Sequence, residues 1–242
     1  MNIHLSLQSK GGAGKSTSIA FLGDYLKQKD LQTRFLDLDP NNATLAQYRA
    51  LDVERIMLID EHNVISTRGF DTVMETIETP TDVEHLVIDI GGDGFTQVVN
   101  HLVSHEFLER ALDKGHSVTI HTPINGGQSL HATLQCLDNL AASFPDPATF
   151  CIWLVHRREP VATPDGKPFF EMKTYQRLQD RIRSVIDLKS HGTLFDEALV
   201  NVLGKSKTLT EALSDGGLRG DDAFRITKIR RSIWQQLDQA LQ

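Results

Sequence analysis

Residues 9–17 read SKGGAGKST and combine glycine, lysine and hydroxyl side chains within one short segment. Glycines let a backbone curl until successive N–H groups point at one centre, which is what an anion requires. Lys15 adds a full positive charge for the β- and γ-phosphates of a nucleotide, and the Ser16 hydroxyl is a ligand for Mg²⁺. We therefore predict that the segment binds a nucleoside triphosphate with magnesium. The predicted nucleotide-binding residues are Lys10, Gly11, Gly12, Ala13, Gly14, Lys15, Ser16 and Thr17.

The surroundings of this segment support the same chemistry. Residues 3–7 are apolar enough for a buried strand, and residues 15–28 have apolar positions at mostly helical spacing. The glycines thus lie between a strand and a helix, whose N-terminus adds partial positive charge. The strict pattern G-x-x-x-x-G-K-S would have glycine where this chain has Ser9. A glycine-rich turn before a helix, without a ligand, is the alternative interpretation.

Three aspartates follow predicted strands further along the chain. Asp37 and Asp39 lie at the end of an apolar stretch over residues 33–38, and Asp89 ends the apolar run of residues 86–88. Carboxylates at the C-terminal ends of strands, beside a phosphate loop, are well placed to act on a nucleotide and its magnesium. Taken alone, each is also compatible with an ordinary acidic turn.

The remaining pattern alternates between strands and helices. Strands are predicted at residues 118–121 and 150–155 and a short one at 185–188, with helices at 70–77, 97–112 and 126–143. This alternation predicts an α/β fold in three layers, with a mostly parallel central sheet flanked by helices. We predict one domain over residues 1–242, whose C-terminal third, from about residue 170, is mostly helical.

Composition limits the other possibilities. No apolar run approaches the ~20 residues that span a bilayer, and the N-terminus does not resemble a signal peptide. The two cysteines, Cys136 and Cys151, are too few for a disulfide framework, so we expect buried thiols and a cytoplasmic protein. Residues 1–155 carry a net charge of -10 and residues 156–242 a net charge of +3. The basic tail leaves weak, non-specific DNA binding open.

The segment from Lys10 to Ser16 resembles the deviant Walker A box of the ParA/MinD family of dimeric P-loop ATPases. The resemblance implies that Lys10 reaches the phosphates bound by a second subunit, so that ATP binding drives homodimerisation. It also implies that Asp39 orients the attacking water, that Asp37 helps to order the magnesium shell, and that Asp89 holds magnesium as in a Walker B box. Residues 91–94, which read GGDG, would be the switch loop that senses the γ-phosphate.

A second resemblance covers most of the chain. The TraL-like proteins of conjugative plasmids have similar stretches at residues 42–44, 69–72, 120–122, 126–128, 153–154 and 230–231. This resemblance implies a role in conjugal transfer or plasmid maintenance, together with an unidentified protein partner. Within the ParA/MinD pattern, Val155 stands where many members have an adenine-reading asparagine, and Asn41 stands in place of a glutamine. Selectivity for the base is therefore left open.

Other signals are weaker. His101 and His105 are spaced for one helix face, but the glutamate of an H-E-x-x-H zinc site is missing. Basic side chains of the C-terminal third are expected on solvated helix faces, with DNA or membrane binding as alternatives, the membrane being the less favoured. These are Lys173, Arg177, Arg181, Arg225, Lys228, Arg230 and Arg231. We predict an ATP hydrolase that acts as a dimerisation switch. A metabolic P-loop enzyme, either a ligase or a small-molecule kinase, is one alternative, and a nucleotide-binding module with little turnover is another.

Overall fold

The computed structural model describes residues 1–39, 42–58, 66–79, 81–92, 95–144, 146–156, 159–218 and 220–241. Within these residues seven strands form one sheet, and every neighbouring pair is parallel. The strands are β1 Asn2–Ser6, β2 Thr33–Asp37, β3 Glu54–Arg55, β4 His85–Asp89, β5 Ser117–Asn125, β6 Thr149–Val155 and β7 Ile182–Leu188. Their order across the sheet is β3-β2-β4-β1-β5-β6-β7.

Helices cover both faces of this sheet. The described helices are α1 Lys15–Gln28, α2 Thr67–Glu78, α3 Phe95–Ser104, α4 Phe107–Asp113, α5 Leu130–Ser143, α6 Lys173–Leu178, α7 Thr193–Leu203, α8 Leu209–Ser214 and α9 Asp221–Ala240. Side chains alternate along each strand, so Ile3 and Leu5 of β1 face the core under α3, α4 and α5. Trp153 of β6 faces the opposite core, under α1 and α9. The predicted three-layer α/β fold is confirmed.

The sheet order places the predicted site residues in one row. β1 lies between β4 and β5, and Ser6 at its end is in register with Asp89 on one side and His121 on the other. Asp37 at the end of β2 is in register with Asp89. Because all these strands are parallel, their C-terminal ends meet at the sheet edge from which the glycine-rich segment leaves β1.

Three local expectations differ from the structure. The helix predicted for residues 97–112 is interrupted, because Glu106 adopts a left-handed conformation (φ 53°) between α3 and α4. The edge strand β3 was not predicted, since both of its residues are exposed and show no apolar pattern. β7 begins at Ile182, three residues before the predicted start.

Candidate nucleotide-binding site

The loop between β1 and α1 has the backbone of a cradle. Gly12 (φ 70°) and Gly14 (φ 101°) are both left-handed, a conformation that costs other residues energy. Gly14 is the N-cap of α1, so the first free N–H groups of that helix open toward the loop. Residues 9–12 are exposed, which leaves their backbone accessible to an anion.

Gln8 fixes this loop to the sheet, a role that the motif alone did not indicate. Its side chain is fully buried and its Nε2 donates to Thr122 Oγ1 (3.2 Å) and to the Pro123 carbonyl (3.0 Å). Its Oε1 accepts a hydrogen bond from the backbone N–H of Lys10 (3.2 Å). Gln8 therefore connects the start of the cradle to β5 on one side and to Lys10 on the other.

The glycine pair after β4 closes one side of the cradle. Lys15 is buried, and a Cβ atom placed on Gly92 would lie 3.6 Å from its Nζ and 3.9 Å from Gly11 Cα. The first half of the predicted switch loop is thus in contact with the phosphate loop. Asp93 and Gly94, its second half, lie outside the described residues, as does Asn41.

Asp89 is a fully buried acidic group of the site. It is 1% exposed, and its Oδ1 has no hydrogen-bond partner among the described residues. Burial raises the pKa of Asp89 to about 6; the nearby Ser16 and Ser6 hydroxyls and Lys15 lower it, while the Asp37 charge raises it further. A buried carboxylate oxygen without a partner, close to a serine hydroxyl, fits the oxygen-rich surroundings of a hydrated magnesium ion.

Asp37 organises the acidic turn. Its Oδ1 accepts the backbone N–H of Asp39 (3.0 Å) and its Oδ2 that of Ala46 (3.0 Å), and the residue is 1% exposed. Burial raises the pKa of Asp37, and these two hydrogen bonds oppose the shift. The carboxylate therefore holds two stretches of backbone together, and its predicted place in the magnesium shell stays a prediction.

Asp39 points at the switch glycines. Its Oδ1 accepts the backbone N–H of Asn42 (2.9 Å), and a Cβ atom on Gly91 would come within 2.5 Å of its Oδ2. The carboxylate is thus packed directly on the Gly91 backbone. This is a suitable place for a group that orients a water molecule, the role predicted for Asp39.

Tyr48 is a further residue of the site that sequence reasoning missed. It is 3% exposed, between two short 3₁₀ turns, Leu45–Gln47 and Arg49–Leu51. Burial raises the pKa of Tyr48, the charge of Asp89 raises it further, and the Thr17 hydroxyl lowers it, so the phenol lies near both groups. No spacing in the sequence links residue 48 to Asp89; only the folded chain brings them together.

The end of β6 lies next to the cradle. A Cβ atom on Gly14 would lie 3.9 Å from Val155 Cγ2. The next residue, His156, accepts the Val161 N–H at Nδ1 (3.1 Å), and its Nε2 is 3.0 Å from Asp187 Oδ1. Both ring nitrogens of His156 thus face groups of the protein itself.

Most of the basic side chains noted in the C-terminal third also contact the protein. Arg177 pairs with Asp138, and Arg230 lies over the Trp234 ring (4.6 Å). Other contacts join Arg181 to the Ala141 carbonyl (2.7 Å), Arg225 to Asp222 (2.6 Å) and Lys228 to the Phe195 ring (5.9 Å). The apolar stripe of α9 is buried against the core at Ile226, Ile229, Ile233 and Leu237. These contacts favour the interpretation that the basic helices pack on the domain.

The rings of His101 and His105 contact each other at a tilt of 33°, with centroids 3.8 Å apart. In the part of the chain that the structure describes, no three histidine, cysteine or acidic side chains are grouped to hold a metal ion. None of the described helices is both long enough and apolar enough to cross a membrane.

Comparison with known proteins places this chain in a family. No protein-family model matches the chain. Two proteins named TraL from Escherichia coli match it, one 36% identical over 245 residues and one 32% identical over 243 residues, each with 98% of both chains covered.

Solved structures show the same fold at much lower identity. The MinD cell division protein of Aquifex aeolicus has a TM-score of 0.53 at 14% identity, with 96% of both chains covered. The cell division ATPase MinD of Pyrococcus furiosus has a TM-score of 0.52 at 15% identity, with 97% of this chain and 98% of that chain covered. The chain therefore has the P-loop NTPase fold of MinD, and its identity to two full-length relatives shows that it belongs to the TraL family.

Proposed function

We propose that this TraL-family protein is a magnesium-dependent ATPase that dimerises when ATP is bound and acts as a switch in plasmid transfer or maintenance. The observation that carries the proposal is the convergence of four groups on one sheet edge. Gly92 lies beside Lys15, Asp39 packs on Gly91, and Asp89 has a buried oxygen without a hydrogen-bond partner among the described residues. Each group has a distinct task in binding or hydrolysing a triphosphate.

In this proposal the chain binds the triphosphate with the loop amides and Lys15. Magnesium, when bound, offsets charge on the β- and γ-phosphates, and Ser16 and Asp89 would hold it, with Asp37 supporting the shell. Asp39 orients the attacking water. Gly91 and Gly92 change position when the γ-phosphate is bound or lost, and this change is passed on to α3, the next helix in the chain. Hydrolysis would be slow, since the protein works as a switch.

Lys10 carries the dimerisation step of the proposal. It is exposed at the rim of the cradle, and its side chain forms no ion pair within the residues that the structure describes. Lys15 and the loop amides already bind the phosphates of the nucleotide held by the same subunit. The charge of Lys10 is therefore available for the nucleotide of a second copy. Two such contacts, one in each direction, suit a twofold interface. The acidic N-terminal part makes close approach costly unless magnesium and these lysines offset the charge.

The test measures nucleotide binding and mass separately. Calorimetry follows binding of a non-hydrolysable ATP analogue with Mg²⁺, and light scattering follows the molar mass under the same conditions. We expect the wild type to bind and dimerise, Lys15→Ala to lose at least about a hundredfold in affinity, and Lys10→Ala to bind within a few-fold of wild type but stay monomeric.

Lys114→Ala is the matched control, because Lys114 is also exposed but precedes β5, at the opposite edge of the sheet. It should bind and dimerise like wild type. A wild type that binds the analogue but remains monomeric at high concentration would contradict the switch and favour the metabolic-enzyme alternative. Wild-type affinity in Lys15→Ala would contradict the site itself.

A further inference from the structure

Three histidines from adjacent strands meet inside the sheet layer under α1. His85 of β4, His4 of β1 and His121 of β5 are each at most 7% exposed. His4 Nε2 is 3.0 Å from His85 Nδ1, and His4 Nδ1 is 2.9 Å from His121 Nε2. Trp153 of β6 donates its Nε1–H to His121 Nδ1 over 3.1 Å. We call these four residues the histidine array.

The tryptophan fixes the direction of every hydrogen bond in the array. An indole N–H can only donate, so His121 must accept at Nδ1 and carry its proton on Nε2. That proton is donated to His4 Nδ1, which places the proton of His4 on Nε2. His4 in turn donates to His85 Nδ1, so His85 also carries its proton on Nε2. All three imidazoles are therefore neutral Nε2–H tautomers.

An additional proton does not fit this arrangement. A proton on His85 Nδ1 would face the N–H of His4, and reversing His4 and His121 would bring an N–H of His121 against the N–H of Trp153. Burial lowers the pKa of His121 to about 3. Burial, followed by the neighbouring histidines, lowers the pKa of His4, and burial lowers that of His85.

Charged groups near the array do not provide a partner that would allow an additional proton on the three histidines. Arg183 of β7 disfavours a proton on His4, and the amino group of Met1 disfavours one on His85, whereas Glu84 favours one on His85. Further buried titratable groups on the elements packed around the array are Lys15, Asp24 and Tyr25 of α1, Asp37 of β2, Asp89 of β4 and Cys151 of β6. None of Asp24, Tyr25, Asp37, Asp89, Cys151 and Glu84 is hydrogen-bonded to a ring nitrogen of the three histidines within the described residues.

The array includes residues of β1 and β5, and β5 is the strand that anchors the phosphate loop to the sheet. The backbone N–H of Leu7 donates to the His121 carbonyl (3.0 Å), and Gln8 donates to Thr122 and Pro123, the next residues of β5. Loss of the array would therefore loosen β5 at the point where it anchors the cradle.

We propose that the histidine array is an acid-sensitive lock beneath the phosphate loop, which holds β5 in its native position only while all three imidazoles are neutral. In the unfolded chain each histidine takes up a proton near pH 6.5. Because the folded state excludes that proton, stability is complete above this pH and is lost as the pH falls through it. When the pH falls from 7.5 to 5.5, each histidine that is protonated only in the unfolded chain raises the unfolding equilibrium constant about tenfold. Three such histidines raise it up to about 1,000-fold.

Nitrogen chemical shifts of the imidazoles test the array directly, in the protein without nucleotide. We expect His4, His85 and His121 to be Nε2–H tautomers that do not titrate between pH 8 and 5.5. An Nδ1–H tautomer at any of the three, or titration near pH 6.5, would overturn the proposal. Because no nucleotide is needed, this result is independent of whether the proposed ATPase function is correct.

Denaturant unfolding at pH 7.5 and 5.5 tests the consequence. The carboxyl of Asp89 contributes in the opposite sense, since its raised pKa lets the folded state take up a proton first. Comparison of variants removes that contribution. His85→Gln keeps an acceptor for His4 but removes one ring that is protonated only in the unfolded chain. Between pH 7.5 and 5.5 its unfolding equilibrium constant should therefore increase by a factor about ten times smaller than that of wild type.

Two further variants complete the comparison. Trp153→Phe frees the array to reverse, so His85 should titrate and the rise should again be smaller, by up to about tenfold. His131→Gln changes an exposed histidine and should behave like wild type. An equal rise in wild type and His85→Gln would overturn the lock. If the lock is present, analogue binding, which rests on the proposed function, should weaken in parallel at pH 5.5 in wild type.

Discussion

The carboxylate of Asp39 occupies the space beside the Gly91 backbone, where a Cβ atom would come within 2.4 Å of Asp39 Cγ. Gly91 is not among the glycines with positive φ, so the turn itself does not require glycine at this position. Glycine is required at position 91 because the Asp39 carboxylate leaves no space for a Cβ atom there. The acidic turn after β2 and the switch segment after β4 are therefore a single packed unit.

This contact predicts the behaviour of Gly91→Ala. The added methyl must displace the Asp39 carboxylate, so turnover should fall by about a hundredfold or more, as expected when a group that acts on the attacking water is misplaced. Affinity for Mg-ATP should stay within a few-fold of wild type, because the role proposed for Asp39 falls mainly in the transition state. Single-turnover kinetics and calorimetry measure the two effects separately.

The control is a mutant cycle with Asp39→Ala. If the methyl acts by displacing Asp39, the combined variant should turn over no more slowly than Asp39→Ala alone, since the two changes remove the same group. Strictly additive losses, or wild-type turnover in Gly91→Ala, would show that Asp39 does not work from this position.

Local motifs predicted much of the fold because neighbouring residues carry the information. The glycine-rich loop follows β1 as predicted, and Asp37 and Asp89 end β2 and β4 where the spacing indicated. The break at Glu106 could not be predicted, because nothing in the sequence marks a left-handed glutamate. Gln8 contacts Thr122 and Tyr48 lies near Asp89, and each of these partners is more than 40 residues away in the sequence. The array of His4, His85 and His121 likewise becomes visible only when the strand order is known.

Asp89→Asn should separate stability from magnesium binding. Burial raises the pKa of Asp89 from the usual 3.8 to about 6, so the ionised carboxylate destabilises the folded state at pH 7.5, a penalty that fades as the pH falls from 6 to 4. Without metal, the variant should be more stable by up to about 3 kcal/mol at pH 7.5. Its nucleotide affinity should no longer respond to Mg²⁺. Denaturant unfolding in chelator and calorimetry with and without Mg²⁺ measure these effects.

Asp37→Asn is the matched comparison for Asp89→Asn. Both oxygens of Asp37 accept backbone N–H groups, and an amide offers only one acceptor oxygen. The change should therefore destabilise the protein by about 1–3 kcal/mol. If Asp37→Asn and Asp89→Asn shift stability in the same direction, the distinction between a structural and a metal-facing carboxylate is wrong.

Selectivity for the base should be low. Val155 beside Gly14 offers no side-chain hydrogen bond, and both ring nitrogens of His156 face groups of the protein. In competition, we expect ATP to be preferred over GTP by less than about a hundredfold, or ~2.7 kcal/mol. Val155→Asn should raise that preference about three- to tenfold by adding one hydrogen bond to adenine. A stronger preference in wild type would mean that another group reads the base.

Gln8→Met should weaken the cradle without changing any side chain proposed to bind phosphate. Methionine has a similar length, but it cannot donate to Thr122 Oγ1 and the Pro123 carbonyl or accept from the Lys10 N–H. Buried groups left without partners should cost about 1–3 kcal/mol of stability. The loop should also lose preorganisation, so triphosphate affinity should fall about tenfold, which is about 1.4 kcal/mol. Thr122→Val removes only one of these bonds and should cost about 0.5–1.5 kcal/mol, with little change in affinity. Equal effects of the two variants on affinity would show that Gln8 acts only through the core, while unchanged affinity in Gln8→Met would show that the loop keeps its shape without this anchor.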